Sequence, residues 1–155
     1  METSDWSRRQ GHRLVQLGMV LFLLALLVGI AVPAFAVPRL GLSTHLLGIM
    51  QGIFLMVIGG LWPSLRLTRA MARIGFFLVV YGCFAAWSAN LFAATLGAGN
   101  SMVPIAAGSA HGTPFQEGII SIALRSAAIS VIAAAVVILW GLRGGSESKT
   151  LEPAS

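Results

Sequence analysis

The chain has 155 residues, of which 57% are apolar types and 10% charged, with ten Lys+Arg against five Asp+Glu and a formal net charge of +5. A soluble domain carries about 25% charged residues, and one this short leaves much of its surface wet. The composition therefore excludes an ordinary soluble domain, a disordered chain and a coiled coil, and makes lipid the solvent.

Four apolar stretches follow in order, each near the roughly 20 residues that span a bilayer. The first covers residues 14–36, after Arg8, Arg9 and Arg13. Its end, Ala34-Phe35-Ala36, resembles a signal-peptide cleavage site, but the run is too long for that and Pro38 follows it, so it reads as a retained span. The second covers residues 44–62, with Ser43 or Thr44 as its cap and Pro63 as its stop. The next loop carries Arg66, Arg69 and Arg73, read either as one face of a short interfacial helix against anionic headgroups or as an ordinary solvated loop. The third covers residues 74–96 and the fourth residues 118–142, joined by a long connection rich in Gly, Ala and Ser. Residues 144–155 form a polar tail with the composition of a disordered segment.

Backbone groups in lipid must bond within their own segment, so the stretches are predicted helices. The expected fold is an all-α integral membrane protein, a four-transmembrane-helix bundle in one domain over residues 1–143. Eight cations (Arg8, Arg9, Arg13, Arg66, Arg69, Arg73, Arg143 and Lys149) fall on one side and Arg39 on the other, which places both termini in the cytoplasm. Cys83 is the single cysteine, so no disulfide closes within the chain, and covalent haem and zinc signatures are missing. No Walker motif, HExxH or nucleophile elbow occurs, and paired halves of a transporter are absent.

Polar groups inside apolar stretches mark candidate sites, because lipid makes them costly. His45 shares a face of the second stretch with Gly48, Gly52, Met56 and Gly59. A flat glycine face accepts another helix or a planar macrocycle with His45 as axial ligand. Gln51 lies about 120° around the same helix from His45. That divergence suggests a site between subunits, or else Gln51 is interhelical glue. Cys83, Trp87 and Asn90 share a face of the third stretch, as a pocket wall or as packing, with Tyr81 on another face as a possible hydrogen-bond donor. Arg125, deep in the fourth stretch, needs an anion, either Glu117 or a cofactor carboxylate. His111 and Glu117 are candidates for proton transfer, and Glu117 is equally a candidate for the helix N-terminus.

The run GLSTHLLGIMQG at residues 41–52 resembles the second-helix motif of the hydroxylaminobenzene mutase family, with Gln51 where that family usually has Asn. Residues 61–67 (LWPSLRL), 81–99 (YGCFAAWSANLFAATLGAG) and 111–117 (HGTPFQE) are similar too, so the likeness runs from about residue 14 to 142. Styrene oxide isomerase is more distantly similar. It is a homotrimer with haem b between subunits on a helix-2 histidine, matched by His45, and an Asn six residues later, matched by Gln51. Its helix-3 Asp and Tyr fall on Gly82 and Asn90, and these departures favour the mutase branch.

The resemblance implies an isomerase in the bacterial inner membrane that rearranges a small aromatic substrate, with ferric haem b as Lewis acid. In that reading hydroxylaminobenzene becomes 2-aminophenol, and conversion of an aryl epoxide to an aldehyde is the alternative. It implies His45 as the iron ligand and Gly48, Gly52 and Arg125 around the cofactor. Gln51 and Asn90 would orient the polar group, Trp87 and Tyr81 would meet the substrate, and His111 and Glu117 would handle protons. A rival of another class is a non-catalytic haem-binding subunit for electron transfer. It would need a second strong ligand, which His12 and His111, outside the stretches, do not supply; Met56 is the remaining choice.

Overall fold

The computed structural model describes residues 2–143, with side chains from Asp5 onward. The expected polar tail lies outside the described residues. The elements are α1 (Glu2–Ala31), α2 (Pro38–Leu61), α3 (Arg69–Leu96), the short α4 (Pro104–Ala107) and α5 (Pro114–Leu142), with single 3-10 turns at Val32–Ala34 and Trp62–Ser64. The four long helices are each long and apolar enough to cross a membrane.

Helix ends follow local chemistry. Pro38 opens α2 at a position where its missing N–H costs nothing, so α2 begins six residues before the expected cap. Ser43 and Thr44 lie inside the helix, and Thr44 Oγ1 donates back to the Leu40 carbonyl at 2.8 Å. His45 therefore sits two turns in, roughly 10 Å from the helix start at 1.5 Å per residue. Thr68 caps α3 by accepting the Met71 N–H, and Gly97, with φ of 65°, closes it in the left-handed conformation. Thr113 and Gln116 form a capping box on α5, with Pro114 in the first turn. Arg66, Arg69 and Arg73 do not form a short helix of their own: Arg66 lies in the preceding loop, and Arg69 and Arg73 lie in the opening turns of α3.

α1 and α2 form an antiparallel hairpin sealed by glycine. A Cβ at Gly11 would lie 2.5 Å from the Gly59 carbonyl oxygen, and one at Gly18 would lie 2.6 Å from that of Gly52. Backbones approach this closely only where side chains are missing. Both pairs step by seven residues, the repeat of a left-handed helix pair. α3 and α5 form a second hairpin, in which Gly82 receives Val131 and Ser130 Oγ donates to the Leu78 carbonyl at 2.9 Å. The hairpins join along α2 and α3. α5 packs along α3 and makes no comparable contact with α1 or α2, so the outer faces of α2 and α5 stay uncovered.

One end of the molecule collects the cations. The Arg66 N–H donates to the Gly141 carbonyl at 3.1 Å, tying the α2–α3 loop to the end of α5. Arg8, Arg9, Arg13, Arg69, Arg73 and Arg143 lie at this end, and Arg39 lies at the other, in the first turn of α2. Gly18→Ala is expected to destabilise the chain by about 1–3 kcal/mol through overpacking against backbone, measured by denaturation in detergent. Gly60→Ala, with no atom within 4 Å of the added Cβ, is the control that loses nothing.

Candidate functional site

His45 occupies the register of the α1–α2 seam that Gly52 and Gly59 hold further along, one seven-residue step earlier. Its ring is accommodated because α1 presents Gly29 opposite: a Cβ there would lie 2.5 Å from His45 Nδ1 and 2.6 Å from Cε1. Nδ1 lies 2.7 Å from the Ala25 carbonyl oxygen. A carbonyl oxygen only accepts, so Nδ1 carries the proton and a neutral ring keeps its lone pair on Nε2. That is the tautomer of a metal ligand or a base, oriented through its other nitrogen.

Trp87 of α3 closes the next turn. It is buried, and its Nε1 would lie 2.5 Å from a Cβ on Gly48, beside Ala25. Gly48 and Gly52 are thus covered by Ala25, Trp87, Gly18 and Phe22 of the same chain. The glycine face offered to a macrocycle is filled by helix packing, which is the other reading its pattern allowed. Among the described residues, two buried polar atoms on these helices have no hydrogen-bond partner: Trp87 Nε1, a donor, and Gln51 Oε1, an acceptor. Such orphans cost about 1–3 kcal/mol each, so each is a place where a polar partner would be favoured. Asn90, one turn beyond Trp87, is buried with its Nδ2 donated to the Ala86 carbonyl at 2.9 Å.

The other expected site residues lie elsewhere. Tyr81 is exposed on the α3–α5 flank, with its hydroxyl 2.8 Å from Ser126 Oγ. Arg125 is exposed on α5, a helix that barely meets α2. His111 is exposed in the connection before α5. Glu117 is a clamp: Oε1 accepts the backbone N–H groups of Gly99, Asn100 and Gly112, and Oε2 accepts from the Ser101 N–H and hydroxyl. Its two oxygens are engaged by five donors, which suits holding the 97–113 connection and not carrying protons. Thr113 and Gln116 form the capping box, and Glu117 stands in the first turn of the helix, where the N-terminal dipole favours a carboxylate. Glu117→Gln is expected to raise proteolytic cleavage within residues 97–113 severalfold, read by limited proteolysis.

Sequence reasoning missed Ala25 and Gly29. The signal was present as the seven-residue step Gly11, Gly18, Ala25 on α1, facing Gly59, Gly52 and His45 on α2.

The model of the styrene oxide isomerase family matches residues 10–143. Two curated relatives come from Ectopseudomonas oleovorans. Hydroxylaminobenzene mutase HabB is 48% identical over 132 residues, covering 85% of this chain and 80% of its own. Hydroxylaminobenzene mutase HabA is 40% identical over 125 residues, covering 81% of this chain and 93% of its own. No solved structure matches. The match takes in all four long helices and the seam that seats His45, and the chain belongs to the styrene oxide isomerase family and is an isomerase.

Proposed function

We propose that the protein isomerises an aryl hydroxylamine, hydroxylaminobenzene to 2-aminophenol, within the bacterial inner membrane, with both termini cytoplasmic. The reaction is redox-neutral: the N–O bond breaks, the hydroxyl forms a C–O bond at the ortho carbon, and the proton that carbon gives up is balanced by one taken up at nitrogen, which becomes the amine. No reductant or oxidant enters. The observation that carries the site is the His45 ring, held through Nδ1 by the Ala25 carbonyl, which leaves the lone pair of a neutral ring on Nε2.

The residues fit a haem on the donor chemistry of that imidazole. Because Gly48 and Gly52 are closed by their own chain, a planar group would lie outside the seam, against the uncovered face of α2. That face carries exposed Leu42, Leu46 and Met50, and a second copy of the chain would cover it. In this reading the unit is a homotrimer, with Arg125 of a neighbouring copy meeting a cofactor carboxylate. Ferric haem b supplies a Lewis acid for heterolysis of the N–O bond.

The chain's own part is binding and orientation. Trp87 Nε1–H and Gln51 Oε1, the orphaned donor and acceptor on the packed side of α2, are the chain's groups for the hydroxylamine's polar head, which would have to enter between α2 and α3 to meet them. Asn90 keeps its amide oxygen for the same polar head. The apolar wall excludes water and keeps the released hydroxyl beside the ring. The styrene oxide isomerase match supports a second reading, in which an aryl epoxide opens to an aldehyde on the same residues.

The test is purified protein without reductant, given phenylhydroxylamine and styrene oxide in separate assays. The expected product is 2-aminophenol, with at least tenfold preference over epoxide opening. Phenylacetaldehyde as the main product would replace the first reading with the second, and neither product would overturn both.

A further inference from the structure

Beside the seam, at the arginine-rich end, a cavity of about 440 Å³ opens between the first turns of α1 and α3. Arg9 and Arg13 enter it from α1 and Arg73 from α3, over Trp6, Phe76 and Phe77. Arg9 and Arg13 are spaced i, i+4 on one helix face, where like charges repel, and Arg73 adds a third cation from the facing helix. No carboxylate lines the cavity among the described residues. The nearest in sequence, Asp5, precedes Arg9 by one turn of α1.

Gln10 lines the wall in a fixed pose. Its Oε1 accepts the Trp62 Nε1–H at 3.0 Å, which leaves its amide nitrogen with two donors for the cavity. The polar lining therefore offers only donors and cations, and the rest of it, Trp6, Phe76 and Phe77, is aromatic.

Depth adds a second argument. The apolar helix containing these turns runs from Asp5 to Ala34, 30 residues, whereas about 20 residues cross the hydrocarbon. Arg9 and Arg13 precede the uninterrupted apolar run, at the level of lipid headgroups. Guanidinium groups bind phosphate oxygens in pairs, and basic pockets between helices at this level suit anionic headgroups.

We propose that this cavity binds a phosphate anion, the phosphodiester of an anionic phospholipid, with Arg9, Arg13 and Arg73 on the phosphate and Trp6, Phe76 and Phe77 against the glycerol and first methylenes. The site stands apart from His45 and does not depend on the reaction assigned above.

Native mass spectrometry of the full-length protein in detergent, with equal phosphatidylglycerol and phosphatidylcholine, tests it. Wild type is expected to retain phosphatidylglycerol at least fivefold over phosphatidylcholine. Arg73→Gln should lower that ratio at least threefold, and the triple variant Arg9→Gln, Arg13→Gln, Arg73→Gln should bring it to one. Arg39→Gln, at the opposite end, should keep the wild-type ratio. Arg73 is exposed, so its single variant decides the matter even where the triple variant does not fold. A calorimetric titration with inorganic phosphate separates the sources. Phosphate heat lost in Arg73→Gln, with no lipid preference in wild type, would keep the anion site and overturn the lipid. Equal retention of both lipids without phosphate heat would overturn the site.

Discussion

His45→Ala is expected to remove the Soret band of the purified protein and, in the same sample, to lower phenylhydroxylamine turnover at least a hundredfold. The two losses belong together, because the imidazole is the group that would hold the iron. His45 is only half-buried and faces Gly29 without filling a deep core, so its loss should leave helicity intact. The variant therefore separates ligand loss from unfolding. External imidazole is expected to restore part of the band, since the truncated side chain leaves room beside Gly29. A band and a rate unchanged from wild type would remove His45 from the site. A colourless wild type that still forms 2-aminophenol would instead retain the mutase reading and overturn haem. The spectrum and the rate thus test the cofactor and the reaction separately.

What the sequence could and could not reveal divides along physical lines. Spans were legible because lipid admits few polar groups, and all four stretches carry a long helix. Helix starts were less so. A serine and a threonine in the right place resemble a cap, yet Pro38 outranked them by opening α2 with its fixed φ. The glycine face was legible as a face, but its partner was not. Gly52 needed the backbone of Gly18, and Gly48 needed Trp87, and both are pairings between helices that a single helical wheel does not contain. Glu117 was ambiguous for a similar reason. Its donors come from residues 99–112, and only the closed connection brings their N–H groups to one carboxylate. Arg125 remains a cation on an uncovered helix. Its need for an anion, legible from the sequence, is not met by Glu117, whose oxygens the connection already engages.

Gly29→Ala is expected to leave the fold intact while lowering turnover ten- to a hundredfold. A methyl at this position would lie 2.5 Å from His45 Nδ1, closer than packed atoms tolerate. What must yield is the far end of a side chain, not backbone, so the imidazole swings away and gives up its 2.7 Å bond to the Ala25 carbonyl. Alanine is also the better helix former by about 1 kcal/mol, which offsets part of the strain in α1. Stability therefore should not fall as it does in Gly18→Ala, where the added methyl meets the Gly52 carbonyl. The loss appears instead in the orientation of the imidazole. Groups that orient a metal-bound histidine are typically worth 10–100-fold in affinity or activity. A weakened or shifted Soret band with an unchanged denaturation midpoint is the expected signature. Wild-type absorption and turnover in this variant would mean that the Ala25 carbonyl does not set the ring, and the seam would then be structural alone.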